Sequence, residues 1–253
     1  MDLQLRGKRV VITGASKGIG LATAEAFAAE GADLVLVARS EGLLRRAQED
    51  LTARFGVDVS VVVADVATAS GREAVDQAVD TVDVLVNNAG AIPPGSLLEL
   101  SEETWRGAWD LKVYGFIFLS QLLYPKLKSS RGVIAQVIGA ASEALPASYV
   151  AGAVGNSALV AFTKAFAKTA RRDDVRVVAV TPSAVATDRY ETMMRGNAHA
   201  AFGDEERWRE LESTLPFGRS IRPEEVADAL LFLCSPRSAY TTGAVLVING
   251  APD

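Results

Sequence analysis

The sequence predicts an α/β chain on a doubly wound parallel sheet of about seven strands, with helices on both faces. Three observations carry this. Short, nearly unbroken Val/Leu/Ile runs alternate with stretches of helical period, as expected of parallel strands covered on both sides. A glycine-rich turn, Thr13–Gly20, stands between the first apolar run and the first helix. Of 253 residues, 49% are apolar and 23% charged, proportions that exclude a disordered or fibrous chain.

The elements follow in order. Lys8–Ile12 reads as a strand and Leu21–Ala29 as an alanine-rich helix ending at Gly31. Asp33–Ala38, Ser60–Ala64 and Asp83–Val86 read as strands, separated by helices at Glu41–Phe55 and Ser70–Val79. A long helix starts at Ser101 behind an imperfect Ser-x-x-Glu capping signal and runs to about Leu123, where Pro125 is expected to kink or end it. Gly132–Ile138 is a strand, Tyr149–Ala170 a helix and Val175–Val180 a strand. Residues 182–216 show no clean period. Pro223–Cys234 and Ala244–Ile248 supply the last helix and strand. No linker or internal repeat interrupts the alternation, so 1–253 is read as one domain.

Composition narrows the function. Twenty-six basic and 31 acidic residues give a net charge of −5, against the basic surplus of a nucleic-acid binder. One cysteine, Cys234, and one histidine, His199, argue against a disulfide, a metal site and a Ser–His–Asp relay. Cys234 reads as a packing residue and His199 as a solvent-facing loop residue. No apolar run is read as reaching the roughly 18 residues of a membrane span, and no leader is visible, so a soluble, cytoplasmic protein is expected.

The turn Thr13-Gly14-Ala15-Ser16-Lys17-Gly18-Ile19-Gly20 lets backbone N–H groups approach a pyrophosphate lying on the positive end of the first helix. After the second strand, where an acidic residue would select the unphosphorylated dinucleotide, stand Ala38, Arg39 and Ser40. With Lys17, Arg39 offers charge-assisted contacts to a 2′-phosphate, so NADP(H) is favoured over NAD(H).

These residues resemble the short-chain dehydrogenase/reductase family. Thr13–Gly20 is similar to its Thr-Gly-x-x-x-Gly-x-Gly fingerprint, Asp65-Val66 to its adenine-contacting pair, and Asn87-Asn88-Ala89-Gly90 to its hallmark tetrapeptide. Val180-Thr181-Pro182-Ser183 through Thr187 resembles the loop beside the nicotinamide, with Ser183 where glycine is usual. Pro216–Arg219, Pro223–Ala227 and Thr242-Gly243 resemble its C-terminal segment, and Asn249-Gly250-Ala251 departs from Asp-Gly-Gly. The resemblance implies a Rossmann-type fold and a cofactor site including Gly14, Ser16, Lys17, Gly18, Ile19, Gly20, Ala38, Arg39, Ser40, Asp65, Val66, Asn87, Ala89, Gly90, Asn156, Pro182, Val185 and Thr187. It also implies a homodimer or homotetramer through the two long helices.

The family's catalysis rests on an asparagine, a serine, and a Tyr-x-x-x-Lys pair. Anchored on Ala158–Lys164 and Gly115, the resemblance puts those four roles on Lys112, Gly139, Gly152 and Asn156. All four are replaced, and sliding the register to Tyr149 puts Ala153 at the lysine position. Lys112 either projects its ammonium towards the nicotinamide as proton donor or oxyanion stabiliser, or binds backbone carbonyls structurally. Tyr149, one turn before Gly152, either swings its phenol into the vacated space or packs at the helix start or a subunit contact. Removing side chains at 139 and 152 is expected to hollow the pocket, for a bulky apolar ligand or through decay.

Residues 188–216 resemble the family's substrate lid, where Tyr190, Met193, Met194, Phe202 and Trp208 line either an apolar pocket or a satellite core. The reading is therefore an NADP(H)-dependent oxidoreductase on a small-molecule carbonyl or alcohol with a non-standard proton donor. A cofactor-binding pseudoenzyme that serves as scaffold or regulatory subunit is the alternative, and a non-redox lyase or isomerase a further one.

Overall fold

Every strand in the computed structural model, which describes residues 2–251, runs parallel in one seven-stranded sheet ordered β3-β2-β1-β4-β5-β6-β7. The strands are β1 (Arg9–Thr13), β2 (Asp33–Ala38), β3 (Val59–Val63), β4 (Val84–Asn87), β5 (Val133–Val137), β6 (Arg176–Pro182) and β7 (Val245–Ile248). Alternate side chains of each inner strand enter opposite cores, which is why the strands read as unbroken apolar runs. Val10, Ile12, Leu34 and Leu36 pack under α1 (Gly18–Ala29), α2 (Glu41–Phe55) and α10 (Pro223–Cys234). Val11, Val35, Leu85 and Ile134 face α3 (Ala69–Gln77), α5 (Gly115–Ser130) and α7 (Val150–Ala170).

The strand order reverses direction between β1 and β4, and a doubly wound sheet opens its ligand crevice at the carboxyl ends of such a pair. Thr13 Oγ1 pins the two ends together, accepting from the amides of Asn88 and Ala89 at 2.9 and 3.0 Å.

Three expectations need correction. The helix from Ser101 neither runs unbroken nor stops at Pro125. Ser101 caps α4 (Glu102–Trp109) by accepting from Thr104 N, a five-residue π-helical turn follows at Asp110–Tyr114, and α5 continues through Pro125 to Ser130. The cost of a helical proline, about 3 kcal/mol, is outweighed because Leu119, Leu123 and Leu127, on both sides of it, are fully buried. Second, α7 with the turn after it, Val150–Asp173, is long and apolar enough by length and composition to cross a membrane. Here Leu159, Ala167 and Ala170 on its inner face lie in the sheet's core. Third, the segment without a clean period is mostly helical: α8 (Asp188–Phe202), a 3-10 turn at Glu205–Arg207 and α9 (Trp208–Glu212). His199 is exposed in the last turn of α8 rather than in a loop. The short α6 (Ala141–Ala144) was also unforeseen.

Candidate functional site

The glycine-rich turn is shaped for an anion. Gly14 and Gly18 adopt φ of 66° and 57°, and a Cβ on Gly20 would overlap the Gly14 carbonyl oxygen, so the loop closes on itself only with glycine there. The α1 helix then begins with no side-chain cap and no acidic residue in its first turn. Its first amides are left for a ligand, the condition for holding a pyrophosphate. Asn88 Nδ2 braces the turn by donating to the Thr13 and Gly14 carbonyls at 3.0 and 3.3 Å.

Around this turn lie the other residues assigned to the cofactor. Arg39, two-thirds exposed, reaches Asp65 at 3.8 Å, and Lys17 reaches Asp188 at 3.7 Å, so each cation already faces a carboxylate. Thr187 caps α8 by accepting from Tyr190 N, and its Cγ2 would lie 3.1 Å from a Cβ on Gly18, which sets the start of the lid directly against the glycine turn. Pro182 accepts from Ala140 N at 2.9 Å, joining β6 to the loop after β5. Val185 is buried. Asn87 is buried too, donating to Ser120 Oγ at 3.0 Å.

The four positions assigned to catalysis fall together near the ends of β4 and β5. Lys112 is carried on the π-helical turn, a wide turn frequent at functional sites. Its stem runs beside Gly90, with Cδ 2.9 Å from where a Cβ at 90 would stand, and its ammonium donates to the Ile138 carbonyl. Burial, reinforced by the positive charge of Arg189, lowers its pKa to about 7. Asn156 is buried, and its Nδ2 donates to the Gly139 carbonyl at 3.3 Å. Asn156 Oδ1 is buried with no protein partner, an acceptor open to a hydroxyl donor.

The expected hollow is largely filled. A Cβ on Gly152 would fall on the edge of the Tyr149 ring, overlapping Cε1 and Cζ, and a Cβ on Gly139 would meet Asn156 Nδ2 at 3.0 Å. Tyr149 therefore both swings inward and packs at the helix start, in a cluster with Ile92, Ala108 and Ala151. Burial raises the pKa of its phenol, and the adjacent Arg189 guanidinium pulls it back. Gly155 has a different reason: Trp109, whose Nε1 donates to Ala151 O, lies 3.2 Å from a Cβ placed there. Gly152→Ala is expected to cost about 1–3 kcal/mol in urea unfolding by overpacking. The double variant Tyr149→Ala/Gly152→Ala should show a smaller clash cost than the sum of the single changes.

Arg189 is the residue that sequence reasoning missed. It lies in the lid's first helical turn and donates to the carbonyls of Gly90, at 3.3 Å, and Ile92, 99 and 97 positions away in the chain. The segment expected to be a lid is a satellite core of Tyr190, Met194, Ala198 and Trp208, while Met193 and Phe202 are exposed. Cys234 is buried, which pushes its thiol up to about 12 and leaves it inert as a nucleophile.

The parallel sheet, its switch-point crevice and the uncapped glycine turn together define a nucleotide-binding α/β protein. Residues 14–250 match the family model described as enoyl-(acyl carrier protein) reductase. The chain belongs to the short-chain dehydrogenase/reductase family of NAD(P)-dependent oxidoreductases. It is 31% identical to a 3-oxoacyl-[acyl-carrier-protein] reductase of Chlamydia pneumoniae, covering 99% of this chain and 98% of that one. It is 34% identical to a galactitol 2-dehydrogenase (L-tagatose-forming) of Cereibacter sphaeroides, covering 98% and 95%. Among solved structures, L-sorbose reductase from Gluconobacter frateurii, complexed with NADPH and L-sorbose, superposes with a TM-score of 0.93 at 34% identity, covering 99% and 98%.

Proposed function

We propose that this chain is an NADP(H)-dependent oxidoreductase that interconverts a small-molecule carbonyl and its alcohol, with the Lys112 ammonium as proton donor. The observation that carries the reading is the placement of Lys112: a lysine with a pKa of about 7, anchored on Ile138 O at the end of β5, beside the Gly90 that follows the switch-point strand. A proton donor works best when its pKa lies near the operating pH. The family's phenol and amine roles fall here on Gly152 and Asn156, so the proton must come from elsewhere.

When bound, the dinucleotide supplies the hydride. The amides at the start of α1 would hold its pyrophosphate, Arg39 and Lys17 a 2′-phosphate, and the unpartnered Asn156 Oδ1 a ribose hydroxyl. In the reducing direction Lys112 Nζ gives its proton to the substrate oxygen as that oxygen gains charge, and the neutral amine is reprotonated from water. In the oxidising direction the neutral amine accepts the alcohol proton. The Tyr149 hydroxyl, kept protonated by burial, orients the same oxygen as a hydrogen-bond donor. Proximity and fixed orientation supply the remainder of the rate.

The L-sorbose, galactitol and 3-oxoacyl relatives support a carbonyl/alcohol substrate class. Exposed Tyr114, Phe118 and Val154 on the outer sides of the π-helical turn, α5 and α7 support a homodimer or homotetramer through those helices.

The reading is tested by following NADPH oxidation across ketose, 3-oxoacyl and 2-oxo acid substrates. Carbonyl-dependent oxidation that falls at least about 100-fold in Lys112→Met is the expected result; NADPH binding with no turnover on any carbonyl would favour the pseudoenzyme instead. For the cofactor, Arg39→Ala is expected to weaken NADPH binding roughly 10- to 100-fold, the range for one charge-assisted hydrogen bond. NADH affinity should be unchanged in the same fluorescence titration.

A further inference from the structure

Three side chains from distant parts of the chain converge on the loop after β4. Arg189, on α8, holds the carbonyls of Gly90 and Ile92. Lys112, on the π-helical turn, lays its stem on Gly90. Tyr149, at the start of α7, bridges Gly95 of that loop and packs on the cluster of Ile92, Ala108 and Ala151. The charged neighbour acting on both Lys112 and Tyr149 is Arg189, and among the described residues no carboxylate acts on either. The nearest acid in sequence, Asp188, turns away to Lys17.

Arg189 is exposed and Lys112 half-buried, and two neighbouring cations with no carboxylate paired to either among the described residues favour an anionic ligand. The start of α8 itself is satisfied by the Thr187 cap and by Asp188 and Glu191 in its first turn, so the unmatched charge lies on the side of Arg189 that faces Lys112 and Tyr149. An anion placed there is favoured by the guanidinium and by the ammonium together. The two carbonyl contacts and the Tyr149 hydroxyl engage three of the five guanidinium N–H groups, which leaves two, enough for a bidentate carboxylate. The same two contacts fix the fork in place, so little rotamer freedom remains to be lost on binding.

We infer that Arg189, beside Lys112, forms a subsite for a carboxylate on the substrate, so that the carbonyl compound reduced is an oxo acid. The inference rests on the reading of Lys112 as facing the substrate, and it makes Arg189 a specificity-determining residue. Bound carboxylate also stabilises the protonated form of Lys112, so the charged substrate loads the proton that the reaction consumes.

The test uses the full chain, with and without NADP+, and calorimetric titration of hydroxyacetate against its uncharged amide. At pH 8, hydroxyacetate should bind at least about tenfold more tightly than the amide, with net proton uptake revealed by two buffers of different ionisation heat. Arg189→Leu should abolish the preference and Arg189→Lys retain part of it, with circular dichroism melts confirming that both fold. Equal binding of acid and amide, or a preference that survives Arg189→Leu, overturns the inference. If the preference is present but no carbonyl supports NADPH oxidation, the subsite stands and the reductase reading falls. If NADPH oxidation proceeds equally well with an oxo acid and its methyl ester, the reductase reading stands and the subsite falls.

Discussion

Replacing Lys112 by methionine is expected to lower kcat/KM for carbonyl reduction by about 10²–10⁴-fold, the range for removal of a positioned general acid, while making the protein more stable. The two effects have one cause. The ammonium has been taken out of water, which depresses its pKa from the usual 10.5 to about 7. Between those values the unfolded chain holds a proton that the folded chain does not, so native stability rises with pH across that window. Below about pH 7 both states are protonated and the full cost of burying the charge is present. Methionine fills the stem's space without that cost, so Lys112→Met should raise the melting temperature at pH 6 by more than at pH 10. Each unit of depression corresponds to about 1.4 kcal/mol, and the partial exposure of the residue reduces the total to roughly 2–4 kcal/mol. A lysine kept only to bind carbonyls would give the opposite sign, losing stability on removal. In the wild type, reduction should decline as pH rises through about 7 and alcohol oxidation should increase over the same range, because each direction needs the opposite protonation state of Nζ.

Gly20→Val is expected to abolish measurable NADPH binding, a loss of at least about 100-fold on the scale of a few kcal/mol. The β-carbon would strike a main-chain carbonyl, that of Gly14, which no rotamer change moves aside. The glycine turn must open, and the amides at the start of α1 then leave the positions that face the pyrophosphate. Fluorescence titration with NADPH reads the loss, and circular dichroism separates it from unfolding, since β1 and α1 are held independently by Val10, Ile12, Ala24 and Phe27 in the core.

How far the sequence revealed this molecule depends on the range of the interactions involved. The strands were legible because burial on both faces leaves a local mark, a run such as Leu34–Val37 with no polar residue in it. The turn Thr13–Gly20 was legible because its geometry demands glycine at fixed spacings. The break at Asp110–Tyr114 was not, since a π-helical turn has no local composition signal and here accompanies the packing of Trp109 and Val113 on Gly155, more than forty residues away. The helices α8 and α9 were obscured by a mixed charge pattern whose apolar residues, Tyr190, Met194 and Trp208, pack mainly on one another. At the candidate site, the glycine at 152 was visible, but whether Tyr149 turned towards it or packed at the helix start was open, and the packing shows that it does both. Arg189 left no trace at all, because its partners are backbone carbonyls, which any residue supplies.

The most direct test of the account is the titration of the Lys112 side chain itself by heteronuclear NMR of the isotope-labelled chain, with the resonance assigned by its disappearance in Lys112→Met. A midpoint of about 7, well below the other lysines, is the expected result. A midpoint near the usual 10.5 would place the ammonium in water and leave the site without its proton donor.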